Sequence, residues 1–306
     1  IFGLIFIAIG SKNIEYFSKS KKIDNWFGKS GFFVYNNIFL FSSALVIFIG
    51  TIFPLIYETL YSRQITVGRA YYDILVGPLL LILLGLMIFS VKLSIRNLNI
   101  QKWLNENVIL INIALIVTIF TLFLLNNSYI LIITVSFSFL LIFTTVSNFY
   151  KSFRLTKGSN SYWTGQIAHL GIGIFALGII LNVSQSFSTE IELNSFQEFN
   201  FNNDTYFVYN TIEESLPEKN VLKLPISNSN QTKYTSLNIF KNSSQQAISS
   251  PAVFRSIIND IYITVKFINE DSYKLIVRNN YGVLIMWIGL LITSLSFIPR
   301  LRKNEV

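Results

Sequence analysis

Six uninterrupted apolar runs constrain this chain more than any other feature. They are Phe32–Tyr57, Ile74–Val91, Val108–Leu125, Tyr129–Phe149, Trp163–Val183 and Tyr281–Ile298, and none holds Lys, Arg, Asp or Glu in its interior. Each reaches the ~18 to 20 residues that a bilayer-spanning helix needs. Hydrocarbon offers backbone N–H and C=O groups no partner, so runs of this length read as helices, which satisfy those groups internally. Only 13% of residues are charged, against roughly 25% in a soluble domain. An ordinary water-soluble enzyme and a disordered chain are both excluded. A further run, Ile1–Gly10, is too short to span and reads as the end of a truncated helix. The expected fold class is therefore a polytopic α-helical membrane protein, with six full spans and one truncated N-terminal span.

The polar segments between the runs alternate in charge. Ser11–Gly31, Lys92–Asn107, Lys151–Tyr162 and the tail with Arg300, Arg302 and Lys303 hold 14 of the 24 Lys and Arg but four of the 16 acids. By the positive-inside rule they face the cytoplasm. The loops Glu58–Asp73 and Asn126–Ser128 then lie outside, with the one long polar segment, Ser184–Asn280. The net charge of +8 is accounted for by this bias and does not call for nucleic acid.

Residues 184–280 show strand-like alternation. Phe199 and Phe201, Tyr206–Tyr209, Ile261–Phe267 and Lys274–Arg278 read as short strands, broken by turn signals at Asn202–Asp204 and Asn269–Asp271. The expected organisation is a helical bundle portion over 1–183, a small β-rich extracytoplasmic domain over 184–280, and a final helix with a basic tail over 281–306.

Most catalytic machinery is missing from the sequence. It has no phosphate-binding loop, no nucleophile elbow and no cysteine, hence no disulfide framework or thiolate metal site. The spans carry no carboxylates, which argues against ion-coupled transport. His169, the single histidine, stands out inside an apolar helix. Gly165, Gly173 and Ala176 share its face at helical spacing. Two readings stand. Small residues at this spacing let two helices approach closely, and an intramembrane histidine then hydrogen-bonds a neighbour. Alternatively, the cleared face admits a flat macrocycle with the imidazole as axial ligand. Asn36-Asn37 reads as interhelical hydrogen bonding and Pro54 as a kink or exit turn. Tyr71 and Tyr72 read as exposed interfacial anchors, and Trp163 and Trp287 as interface anchors or packing residues.

Several ordered motifs resemble the CcmF-type cytochrome c haem lyases. Asn36-Asn37 followed by Gly50-Thr51-Ile-Phe-Pro54-Leu55 is similar to that family's NN…GT-x-[YF]-PL run. Ile65-Thr-Val-Gly68 with Tyr71, and Gly77-Pro78-Leu79, follow in the family's order. Ala168-His169-Leu170-Gly171 looks like its AHLG motif. Ser250-Pro251-Ala252, Asn259-Asp260-Ile261-Tyr262 and Met286-Trp287-Ile-Gly289 match its closing region. Arg69-Ala70 depart from it, standing where the family often has prolines.

The resemblance implies a haem lyase subunit of cytochrome c maturation. Such a protein takes haem from the haem chaperone CcmE and helps join it to apocytochrome c CxxCH thiols outside the membrane. It implies haem b as cofactor, with His169 as one axial ligand to the iron, beside Gly165, Gly173 and Ala176. The family's Trp-rich substrate-haem segment and second b-haem histidine would lie before Ile1, so no catalytic residue is assigned within this chain. Implied partners are CcmE, a CcmH-type subunit, apocytochrome c and membrane lipid, with no nucleic acid. The implied location is a bacterial inner membrane, with 184–280 periplasmic; a mitochondrial inner membrane fits the same pattern. A haem transporter or relay, or a structural assembly subunit, is the competing expectation.

Overall fold

A computed structural model describes residues 26, 29–63, 65–90, 100–124, 129–154, 160–202, 204–241, 247–268 and 272–298. The truncated helix expected at 1–10, most of the basic segment 11–31, the residues 92–99 and 155–159, the turns at Asn126–Ser128 and Asn269–Asp271, and the tail beyond Ile298 lie outside them. Five described helices are long and apolar enough to cross a membrane. These are α1 (Lys29–Tyr61), α2 (Arg69–Ser90), α3 (Ile100–Leu124), α4 (Tyr129–Arg154) and α5 (Asn160–Gln185).

The helices outrun the apolar stretches that announce them. Residues from Ile100 to Asn107, expected as part of a polar loop, form the first turns of α3. Gln, Lys, Leu and Glu there favour helix, and no Gly or Pro interrupts them. α1 also continues through Pro54 to Tyr61, so that proline does not end the span.

The sixth run behaves differently. α6 covers Val283–Leu295, 13 residues, or about 20 Å at 1.5 Å per residue, short of the ~30 Å hydrocarbon core. Six full spans are therefore not met among the described residues. At one end Tyr281 is still strand, and Gly282 adopts the left-handed φ of 73° that turns strand into helix. At the other end, Ser296 opens a turn.

The described chain forms two compact units, Ile1–Asn112 and Ile113–Val306. In the first, α1 packs on α2 at Gly50. A Cβ there would lie 2.7 Å from the Tyr71 ring and 2.9 Å from the Tyr72 hydroxyl. The Tyr71 hydroxyl donates to the Val46 carbonyl at 3.1 Å. These two half-buried tyrosines lock a helix pair, which corrects their reading as exposed interfacial anchors.

In the second unit a β-sandwich is inserted between α5 and α6. Its strands are β1 (Phe187–Asn194), β2 (Glu198–Phe201), β3 (Asp204–Val208), β4 (Ile212–Ser215), β5 (Lys219–Ser227), β6 (Thr232–Phe240), β7 (Ala247–Ser250), β8 (Ala252–Arg255), β9 (Asn259–Ile268) and β10 (Ser272–Tyr281). One sheet has the order β1-β10-β9-β8. The other runs β2-β3-β5-β6-β7, with β4 also on β5. All pairings are antiparallel.

Alternation along the strands builds the core. Tyr206, Val208, Leu224 and Ile226 of one sheet meet Ile263, Val265, Leu275 and Val277 of the other, all fully buried. The Asn202 φ of 52° turns β2 into β3, a left-handed position that Asn tolerates. Pro225 sits within β5, where a missing N–H would ordinarily break a ladder. There β5 changes partners on that edge, pairing with β4 up to Lys223 and with β3 from Ile226. Buried Thr235 of β6 ties the sheets together, accepting from the Val265 N–H at 3.2 Å and donating to the Ser250 carbonyl at 2.9 Å.

Candidate functional site

His169 lies within α5, where three different environments meet. At about 100° per residue, Gly171 and Gly178 point roughly opposite to His169. That opposite face is pressed against α6. A Cβ on Gly178 would lie 2.6 Å from the Met286 backbone nitrogen, and one on Gly171 would lie 2.7 Å from the Gly289 carbonyl oxygen. Gly282 and Gly289 answer them, so two glycine pairs spaced seven residues apart form two rungs between the helices. Only residues without side chains allow backbones this close.

The second face meets α4. Gln166, Gly173 and Ile180 are buried along it. A Cβ on Gly173 would lie 2.8 Å from the Ile142 side chain and 3.5 Å from the Ser138 carbonyl oxygen. The Phe149–Trp163 edge-on ring pair, with centroids 4.7 Å apart, fixes the antiparallel register together with Ile142 and Gly173. His169 then falls at the level of Thr144 and Thr145. Both are buried and donate to the Leu141 carbonyl of their own helix, at 3.1 and 2.6 Å. This wall is built from short hydroxyl side chains that satisfy themselves locally.

On the third side the described residues leave room at one position. A Cβ on Gly165, one turn before His169, would meet nothing within 4 Å. His169 and Ala176 are half-buried. The structure thus separates the small residues expected to clear space for a ring. Gly165 fronts vacant space. Gly173 does not, because α4 takes the room beside it, and its glycine serves helix approach instead.

An imidazole on an apolar helix, with room beside it at Gly165, could hold the iron of a flat, largely apolar macrocycle. Among the described residues no group of three or more His, Asp or Glu is placed to hold a metal ion. Elsewhere, Asn36 is half-buried and Asn37 exposed on α1. Trp163 packs on Phe149, while Trp287 is 66% exposed. The glycine rungs were missed by sequence reasoning, although their signal was present: Gly171 and Gly178, and Gly282 and Gly289, share a seven-residue spacing.

No family model matches the sequence. The chain is 28% identical over 203 residues to the cytochrome c-type biogenesis protein CcmF of Pseudomonas fluorescens, covering 62% of this chain and 30% of that protein. It is 25% identical over 215 residues to the protein of the same name from Haemophilus influenzae, covering 62% of this chain and 31% of that one. A solved structure described as "Cytochrome c Heme Lyase CcmF" shares the fold, with a TM-score of 0.69 over 98% of this chain and 49% of that one, at 13% identity. The matched stretches amount to about a third of the curated relatives' length and about half of the solved chain. Sequence and fold point the same way: the chain is similar to the CcmF-type cytochrome c biogenesis proteins of these bacteria and shares the fold of the solved one.

Proposed function

We propose that this chain is part of a membrane haem lyase of cytochrome c maturation and that His169 is an axial ligand to a b-type haem iron. The observation that carries the reading is the half-buried imidazole on α5 with open space on its Gly165 side. The names of the similar proteins add the cytochrome c and haem lyase context. The chain has one histidine, so the second imidazole that the family resemblance implies would come from outside these 306 residues.

In this role α4 and α6 hold α5 rigid on two faces, so the imidazole presents itself to the third side in a fixed direction. The buried Thr144 and Thr145 hydroxyls donate to a carbonyl of their own helix. When bound, the haem supplies one-electron redox chemistry that keeps an incoming haem iron reduced while its vinyl groups join the two CxxCH thiols. The sandwich lies on the outer face of the membrane and docks apocytochrome c, the haem chaperone CcmE or a CcmH-type subunit. Support for that side comes from the basic segments flanking the other helix ends. The domain's ten acids and eight bases leave no strong field, so docking relies on shape more than on charge.

The test is the absorption spectrum of the purified full-length protein, with thioether formation assayed in a strain lacking the gene. His169→Ala should lose the haem or leave a five-coordinate, shifted spectrum. An unchanged spectrum would return His169 to a packing role. Haem binding without thioether formation would favour a relay subunit of the same machinery.

A further inference from the structure

The sandwich and the α5–α6 pair enclose a cleft of about 620 Å³ that the haem reading does not use. One wall is the outer face of the β1-β10-β9-β8 sheet, where Tyr262 and Arg278 stand directly opposite each other and Asn280 follows. The other wall is apolar, made by Met286, Trp287 and Leu290 along α6.

The charges on that sheet face are unevenly matched. Lys266 pairs with Glu190 at 2.9 Å, and Lys274 pairs with Glu190 at 3.0 Å and Glu192 at 3.4 Å. Glu190 stands opposite Ile276 at the edge of the cleft, but its carboxylate is taken up by the two lysines, and Glu192 lies one step further along β1. Arg278 has no ion pair among the described residues, and no Asp or Glu lines the cleft with it. A lone guanidinium therefore stands where a polar domain meets an apolar helix, with an amide and a phenol beside it.

From this juxtaposition we infer that the cleft is a binding site for an anionic phospholipid, its phosphate on Arg278 and an acyl chain along Trp287 and Leu290. A guanidinium presents a planar fork of donors that matches phosphate oxygens in pairs. Basic pockets beside membrane helices select anionic headgroups in this way. The exposed α6 face, with Trp287 66% and Leu290 39% accessible, continues from the cleft as an apolar track. Tyr262 and Asn280 add hydrogen-bonding groups for the headgroup. The occupant must be anionic at one end and apolar at the other, which a lipid of the surrounding membrane satisfies. The inference is independent of His169 and its haem.

Native mass spectrometry of the full chain, offered equal amounts of phosphatidylglycerol and phosphatidylcholine, tests it. The unsubstituted chain should retain phosphatidylglycerol with a several-fold preference. Arg278→Gln should bring the ratio to parity, and Arg278→Lys should keep part of it. Arg255→Gln, which removes the same charge from the same sheet outside the cleft, should leave it unchanged. Location is read separately. In phosphatidylcholine bilayers, a minor fraction of brominated phosphatidylglycerol should quench Trp287 several-fold more than the same fraction of brominated phosphatidylcholine. That arm uses a chain in which Trp26, Trp103 and Trp163 are Phe. Equal retention of the two lipids by the unsubstituted chain, meaning general annular lipid only, overturns the proposal. So does a preference that survives Arg278→Gln, or quenching that ignores headgroup charge.

Discussion

Gly171 and Gly289 face each other so closely that a methyl group on Gly289 would sit 2.7 Å from the Gly171 carbonyl oxygen. The neighbour that would have to give way is backbone, which cannot rotate aside. Gly289→Ala should therefore force α5 and α6 apart and lower stability by about 1–3 kcal/mol, the usual range for overpacking. Thermal unfolding in detergent, followed by Trp287 fluorescence, checks this. An unchanged midpoint would mean the helices are not held at this distance.

The two small residues flanking His169 should respond differently. Gly165→Leu fills open space, so haem content should fall while the melting temperature holds. Gly173→Leu collides with Ile142, so stability should fall first. Haem absorbance and thermal melts on the same two preparations separate the effects. Equal loss of stability in both variants would remove the reason for placing a ring on the Gly165 side.

Thr235→Val keeps the side-chain shape but removes both hydrogen bonds of the hydroxyl, the one to Ser250 within its own sheet and the one from Val265 across to the other. It leaves the Val265 N–H, buried in the core, without its acceptor. The expected loss is about 1–3 kcal/mol, read as a drop in denaturation midpoint followed by far-ultraviolet circular dichroism of the strands. Thr235→Ser, which retains the hydroxyl, should stay closer to the parent.

Glu190 contributes a pH dependence whose sign is fixed. Its hydrogen bonds to Lys266 and then Lys274, reinforced by their charges, hold its carboxyl below the ordinary value of 4.5. A carboxyl lowered on folding stabilises the native state above its unfolded value and loses that contribution as pH falls through the folded one. Unfolding midpoints of the parent and Glu190→Gln should therefore differ at neutral pH and converge below about 4.5. The pair is exposed, so the gap should be small and should shrink in high salt.

The proposed topology is tested with fusions. Alkaline phosphatase joined after Asn230, in the described turn between β5 and β6, should be active, and joined after Lys157 it should be silent. The reverse pattern would invert the assignment of the sandwich to the outer face.

The sequence made the helices legible because lipid demands an uninterrupted apolar run, and a run leaves an unmistakable mark. It did not reveal where they stop. Ile100 to Asn107 looked like loop because its polar residues say nothing about the hydrogen bonds behind them. The strands carrying Phe199, Tyr206, Ile263 and Leu275 were legible through alternation. Their division into two sheets was not, since register depends on distant partners such as Thr235 and Val265. At the candidate site, His169 was conspicuous as the one histidine. Which small neighbour cleared space was hidden, because Gly165 and Gly173 share a helical face and only the position of Ile142 tells them apart.

The glycine rungs also bear on how the inserted sandwich can change. Both backbone groups of Tyr281 are held from the α5 end, its C=O by Asn182 within the helix and its N–H by Ser186 just past it, each at 3.1 Å. Together with the rungs, these bonds bring the two ends of the insertion together whatever lies between them. In polymer terms the sandwich is a large loop whose mouth is already closed, and each doubling of such a loop adds only about 0.6 kcal/mol of closure entropy. Strands can be added, lost or exchanged in the sandwich without disturbing the helix that carries His169, leaving the inserted domain free to diverge while the helix pair stays the same.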